Sequence, residues 1–158
     1  MPSPFTPVVF YRDPKAALDW LERAFGFETS LLVTDDAGRV GHAEMSFGEG
    51  RVGIGEEWGA EGLIGPAKMR SPASLDCVGT QFIRVTLERG LDEHCARAEA
   101  AGARITQRPA DQFYGARVYR ALDPEGHVWN FDQTIADMSN ADMEKASGLT
   151  ITASLPGE

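Results

Sequence analysis

The chain offers few side chains able to do chemistry, so their spacing matters. Only three histidines are present, His42, His94 and His127. His42 and Glu44 lie two apart in Val40–Phe47 (VGHAEMSF). This segment alternates apolar and polar residues, so the pair shares one face of a strand. Such a pair could begin a metal site or serve as acid and base without metal. It could equally be a hydrogen-bonded polar wall. A metal would need a third donor, for which Glu56, Glu57 and Asp132 are the candidates. Arg84 and Arg120 also fall on the polar parity of alternating segments. A guanidinium there could hold a ligand carboxylate or phosphate, and Arg120 could instead pair with Glu44. Trp58, Phe113 and Tyr114 stand in irregular segments, where aromatics stack on a planar ligand or anchor a loop.

Other signals point to structure. Gly48–Gly53 (GEGRVG) matches a glycine-rich phosphate loop in spacing, but a strand follows instead of a helix, and Glu49 would repel phosphate. It reads as a hairpin turn. His94 and Cys95 are adjacent on a helix and point about 100° apart, so they read as a surface histidine beside a small buried thiol. His127 is placed at a hairpin end, and Trp20 and Trp129 in the core.

The elements that must position these groups follow from periodicity. Phe5–Tyr11 reads as a strand. Asp13-Pro14 opens a helix with apolar Ala17, Leu18, Leu21 and Phe25, stopped at Gly26. Strands follow at Phe27–Thr34, Val40–Phe47 and Arg51–Gly55. Residues 57–76 carry Gly, Pro and Ala without periodicity and read as a long loop. The order then repeats: strand Phe82–Leu87, helix Leu91–Ala101, strand Ala103–Gln107, a loop with Pro109, and strands Arg117–Leu122 and His127–Asp132. A shift of 76 residues matches Val9 with Val85, Gly26 with Gly102 and Gly50 with Gly126. The two glycine pairs fall at equivalent helix stops and hairpins, where glycine has a backbone reason. Each half therefore reads βαβββ. The expected organisation is one α+β domain over residues 1–133, with modules at about 5–57 and 78–133 joined by a loop at 58–77. A tail over 134–158 carries a short helix, with Ser139 and Asp142 as its capping pair and Gly148 as its stop.

This duplication resembles the vicinal oxygen chelate superfamily, which holds glyoxalase, bleomycin-resistance and extradiol-dioxygenase proteins. The resemblance is carried by Tyr11–Trp20 (YRDPKAALDW) leading to Phe25-Gly26-Phe27, by Ala98–Ala103 (AEAAGA) and by Asp123–Phe131 (DPEGHVWNF). With Tyr114–Arg117 (YGAR), the last segment resembles the PhnB-like or bleomycin-resistance-like branch. The resemblance implies curved mixed sheets around a cavity, helices on the convex faces, and a homodimer. It places His42, Glu44, Phe82, Arg84, Arg120 and Asn130 on the cavity side. Metal-dependent relatives carry His, Gln or Glu at four strand positions. Transferred here, those positions fall on Thr6, Ile54, Phe82 (or Ile83) and Asn130, none a credible ligand for a first-row metal. The 76-residue shift pairs Ile54 with Asn130. The resemblance therefore implies a protein without the usual metal, although a displaced divalent site at His42 and Glu44 stays open.

Composition narrows the partners. Fifteen Lys and Arg against 24 Asp and Glu give a net charge of −9, which disfavours nucleic acid and anionic membranes. No run approaches a membrane span, and two cysteines do not make a disulfide framework. A cytoplasmic protein is expected. It would bind a small molecule through His42, Glu44, Trp58, Phe82, Arg84, Phe113, Tyr114, Arg120 and Asn130. The alternative is a lyase, isomerase or dioxygenase of the same superfamily, using a displaced metal or His42 and Glu44 as acid and base.

Overall fold

A computed structural model describes residues 3–58, 66–155 and 157. The first module comprises β1 (Val8–Tyr11), α1 (Pro14–Phe25), β2 (Glu28–Thr34), β3 (Val40–Phe47) and β4 (Gly50–Glu56). The second comprises β5 (Phe82–Leu87), α2 (Leu91–Ala100), β6 (Arg104–Asp111), β7 (Ala116–Leu122) and β8 (Val128–Thr134). Each forms a four-stranded sheet, in the orders β1-β4-β3-β2 and β5-β8-β7-β6. In each, the first strand pairs in parallel with the last, and the other pairs are antiparallel. Neither sheet closes into a barrel. The fold is α+β, two βαβββ units, with α3 (Asn140–Ser147) in the tail. Among the described residues no helix is long and apolar enough to cross a membrane.

Local chemistry explains the elements. Asp13 caps α1 by accepting from Ala16 N, Pro14 occupies its first turn, and Gly26 ends it at φ 73°. Ser139 and Asp142 form the capping box of α3, which buries none of its residues. One element differs from the expected pattern. Strand β6 continues through Pro109, where a loop was expected. It is an edge strand, and its ladder is irregular between Gln107 and Ala110, so the missing N–H costs no central hydrogen bond. The long connection carries a Trp58–Met69 bridge and a 3-10 turn at Pro72–Ser74; residues 59–65 of it lie outside the described residues.

The two modules share one core. α1 is held to the second module along its whole length. At its N-terminus, Glu125 accepts from the backbone of Arg12 (2.6 Å) and Asp13 (3.1 Å). Midway, Trp20 Nε1 donates to the Ala101 carbonyl at 2.8 Å. At its C-terminus, Arg97 donates to the carbonyls of Glu22 and Arg23 at 2.9 and 2.8 Å. A cation at these C-terminal carbonyls also complements the helix dipole. Phe25 fills the centre, packing against Trp20, Phe27, His94, Trp129 and Phe131.

His94 belongs to this joint, which corrects its reading as a surface residue. Nε2 lies 2.9 Å from the Phe25 carbonyl and Nδ1 2.6 Å from the Tyr119 hydroxyl. The carbonyl can only accept, so Nε2 carries the proton and Nδ1 accepts from Tyr119. The ring is neutral in this network. Burial, the largest cause, together with Arg97 lowers its pKa against the opposing effect of the Phe25 carbonyl. The unfolded chain therefore binds a proton that the folded one refuses. Stability should hold above the ordinary histidine value of about 6.5 and fall as the pH drops below it. Thermal unfolding from pH 8 to 5 checks this. His94→Gln should flatten the decline, and an unchanged slope would refute it.

Candidate functional site

In each sheet, the face opposite the helices is open. On the first sheet, Val9, Tyr11, Ala43, Met45, Val52 and Ile54 point into the core. Their neighbours Val8, Phe10, His42, Glu44, Gly53 and Gly55 therefore lie on the open face. Cross-strand register places Val8, Gly53, Glu44 and Leu31 in one row, and Phe10, Gly55, His42 and Val33 in the next. Trp58 meets Phe10 edge-on, ring centroids 6.5 Å apart. His42 and Glu44 thus share a face, both half-buried.

On the second sheet, Trp129, Phe131, Tyr119 and Ala121 are fully buried, so the alternate residues line the open face. Arg84, Asn130, Arg120 and Gln107 form one row across all four strands. Asp132, only 2% exposed, accepts from Arg84 Nε and from Thr86 Oγ1. Asn130, also buried, accepts from Arg120 Nε at 2.8 Å. The Arg120 guanidinium carbon lies 5.9 Å from the Phe82 ring centroid, a cation–π contact. Phe113 and Tyr114 stack edge-on in the β6–β7 turn.

Three sequence expectations change. First, Ile54 is a core residue with 0% exposure and faces no cavity. The reason is one residue in a turn. Four residues separate the paired Ser46 and Arg51, but five separate the equivalent pair Leu122 and Val128. The internal shift is therefore 76 up to β7 and 77 in β8. Gly53, not Ile54, is the counterpart of Asn130, and Gly55 that of Asp132. Second, Glu44 does not pair with Arg120 within the chain; its nearest cation is Arg51, at 3.8 Å. Third, among the described residues the two open faces do not close on one another, because both sheets turn their apolar faces to one shared core. Because α1 and α2 join both sheets back to back, His42 and Glu44 face outward on one side, and Arg84, Arg120, Phe82 and Asn130 on the other. A groove of about 970 Å³ instead follows the β3–β4 hairpin and the β5 edge, with Trp129 and Met45 in its lining. Of the candidate residues it includes only Arg84.

The donor set does not fit the metal of the metal-dependent relatives. A Cβ on Gly53 would sit 2.8 Å from a Val8 methyl carbon, and one on Gly55 3.0 Å from the Phe10 ring. The space for a β4 ligand is thus filled with hydrocarbon. Thr6, Phe82 and Asn130 supply at most two neutral oxygens. For the displaced alternative, Glu56 is bound to Arg39, Glu57 to Ser71 and Ser74, and Asp132 lies on the other sheet. Among the described residues no three His, Cys, Asp or Glu side chains converge.

Sequence reasoning missed the joint formed by Asp123, Glu125, Arg97 and His94. Asp123 and Glu125 stand in the segment that carries the family resemblance, but nothing local marks their partners.

Two helix-backed βαβββ sheets with cupped polar faces define a protein of the vicinal oxygen chelate class. Known structures of that class superpose on it. TioX from Micromonospora sp. ML1 is 32% identical, with a TM-score of 0.64 over 84% of this chain and 98% of that one. A glyoxalase-related enzyme from Clostridium phytofermentans (15% identity, TM-score 0.59, 85% and 97% covered) shares the fold. So does FosX, the fosfomycin resistance protein of Listeria monocytogenes, in complex with Mn(II) and sulfate (14%, 0.57, 92% and 97%). No curated protein matches the chain. The chain belongs to the Glyoxalase/Bleomycin resistance protein/Dioxygenase superfamily, whose family model matches residues 5–131.

Proposed function

We propose that this protein is a cytoplasmic, bleomycin-resistance-like binder of a small organic molecule. It holds that molecule without the metal of its metal-dependent relatives, in a cavity closed between two copies of the chain. The observation that carries this reading is the outward orientation of the two open polar faces, which we read as the two halves of one site. Both expose apolar side chains that water alone would cover: Leu31 and Val33 on the first sheet, Phe82 on the second. The faces are also complementary. Glu44 on the first occupies the row position that Arg120 holds on the second. A second copy would set the first-sheet face of one chain against the second-sheet face of the other.

Sedimentation should find a dimer, and organic ligands should stabilise it in the presence of EDTA. A ligand at 100 times its Kd adds about 2.7 kcal/mol, a rise of roughly 5–10 °C in Tm. A monomer, or stabilisation by Mn²⁺, Ni²⁺ or Zn²⁺ but by no organic ligand, would overturn the proposal.

One observation favours a second reading, a lyase, isomerase or dioxygenase. His42 and Glu44 share the first-sheet face and are both half-buried, placed to exchange a proton with a bound molecule. If that reading holds, His42→Ala and Glu44→Gln should each cut turnover by about 10²-fold or more. Turnover unchanged in both variants would end it.

A further inference from the structure

We infer that the molecule bound on the second-sheet face is an organic anion, a carboxylate or phosphate on an aromatic body, gripped by the guanidinium forks of Arg84 and Arg120. The inference rests on the small-molecule reading above and adds the chemistry of the ligand.

Both arginines are prepared in the same way. Each spends its Nε on a buried acceptor, Arg84 on Asp132 and Arg120 on Asn130. Those two acceptors are adjacent on one face of β8 and nearly inaccessible to water. Anchoring at Nε fixes the plane of a guanidinium and leaves its two terminal nitrogens directed outward. Among the described residues neither terminal fork has a protein partner. An anchored fork loses little freedom on binding, and its donors match the two oxygens of a carboxylate or phosphate.

Placement makes the two forks cooperate. Arg84 and Arg120 flank Asn130 in one row of three hydrogen-bonded strands, so their backbones lie about 10 Å apart. Long side chains from those positions can converge on one anion above Asn130. The charge balance is also positive at this spot. Two guanidiniums face one carboxylate, Asp132, which is further occupied by Thr86, and Asn130 is neutral. This surplus of one positive charge occurs in a chain of net charge −9. Phe82 supplies the surface for the ligand's body: its ring lies beside Arg120 and is 55% exposed.

The test uses the full chain with benzoate, phenyl phosphate and the neutral isostere benzamide. Titration is followed by calorimetry and by the Nε–Hε NMR signals of the arginines. Benzoate or phenyl phosphate should move the Arg84 and Arg120 signals and bind at least tenfold more tightly than benzamide; which of the two binds better separates carboxylate from phosphate recognition. Arg120→Gln and Arg84→Gln should each weaken the anion by about tenfold, the loss of one charged hydrogen-bonding group. Arg120→Lys, which keeps charge but not the fork, should fall between. Arg84→Gln leaves the buried Asp132 short of a partner, so Arg120→Gln decides the matter if that variant fails to fold. Equal binding of benzoate and benzamide, or undiminished anion binding in Arg120→Gln, overturns the inference. So does a weakened dimer with unchanged benzoate binding, which would assign the forks to Glu44 of a second copy. If neutral aromatics stabilise the protein and anions do not, the cavity reading survives alone. If neither class binds, both fall.

Discussion

Replacing Asp123 with alanine should destabilise the protein by about 3–5 kcal/mol, a large share of the 5–15 kcal/mol that holds a typical domain. This carboxylate, 5% exposed, satisfies four donors. Its Oδ2 accepts from the Tyr11 hydroxyl at 2.6 Å and from Trp129 Nε1 at 3.0 Å. Its Oδ1 accepts from the backbone of Glu125 and His127, both at 3.0 Å, and so shapes the turn before β8. Tyr11 and Trp129 are themselves buried, so alanine would strand two donors where no water can reach them. Each stranded group costs about 1–3 kcal/mol, and the loosened turn adds to that. Burial, followed by the Asp123 charge, raises the Tyr11 phenol well above its usual range, so it remains a proton donor at any working pH. Tyr11→Phe removes one donor and leaves the acceptor otherwise satisfied, so it should cost only about 1 kcal/mol. The double variant should fall short of the sum, because the two changes remove one shared bond. Urea unfolding measures all three. A loss below 1 kcal/mol in Asp123→Ala would show that the joint contributes no more than a surface contact.

Phe25→Ala should cost about as much, 3–5 kcal/mol, by a different route. Its ring is fully buried and touches aromatic groups of both modules, including His94 at a centroid distance of 6.1 Å and Phe131 at 4.7 Å. Alanine would leave a cavity that rigid neighbours such as Trp129 cannot collapse into. The neighbouring polar contacts would loosen as well, since the Phe25 carbonyl fixes the His94 tautomer. Phe25→Leu, which keeps most of the apolar volume, should cost clearly less. Calorimetric unfolding distinguishes them, and comparable stabilities for the alanine variant and the parent would refute the account. Both side chains pack among core residues and stand on neither open face. If the variants keep the fold, they should weaken ligand binding only through the alignment of the two sheets.

Much of this architecture was legible because its causes are local. The Asp13-Pro14 start and Gly26 stop of α1, the alternation of His42 and Glu44 with Ala43 and Met45, and the capping pair of α3 each arise within a few residues. The duplication was legible for the same reason, as two glycines were required at equivalent turns. Parity along β4 was not legible, because it depends on the number of residues in a different hairpin. One extra residue between Leu122 and Val128 moves every following side chain to the other face relative to the 76-residue shift. The alternation of Val52 and Ile54 with Gly53 and Gly55 held the information, but the glycines carry no side chain to mark the open face. Pro109 was misleading in the same way. A proline forbids a central strand, and only the sheet order reveals that β6 is an edge.

By itself the sequence determined two βαβββ units and the faces of β3, β5 and β7, because periodicity, turns and side-chain chemistry act over short range. Only the tertiary structure decided that the units stand back to back. That choice is made by contacts across more than 60 residues: Glu125 and Arg97 on the two ends of α1, His94 on Phe25, and Asp123 on Tyr11. Each is a polar side chain whose partner is a backbone group or hydroxyl distant in sequence, and no local pattern marks such a pair. The same contacts turn His42 and Glu44 away from Arg84 and Arg120, so that the two halves of the proposed site belong to opposite surfaces of one chain.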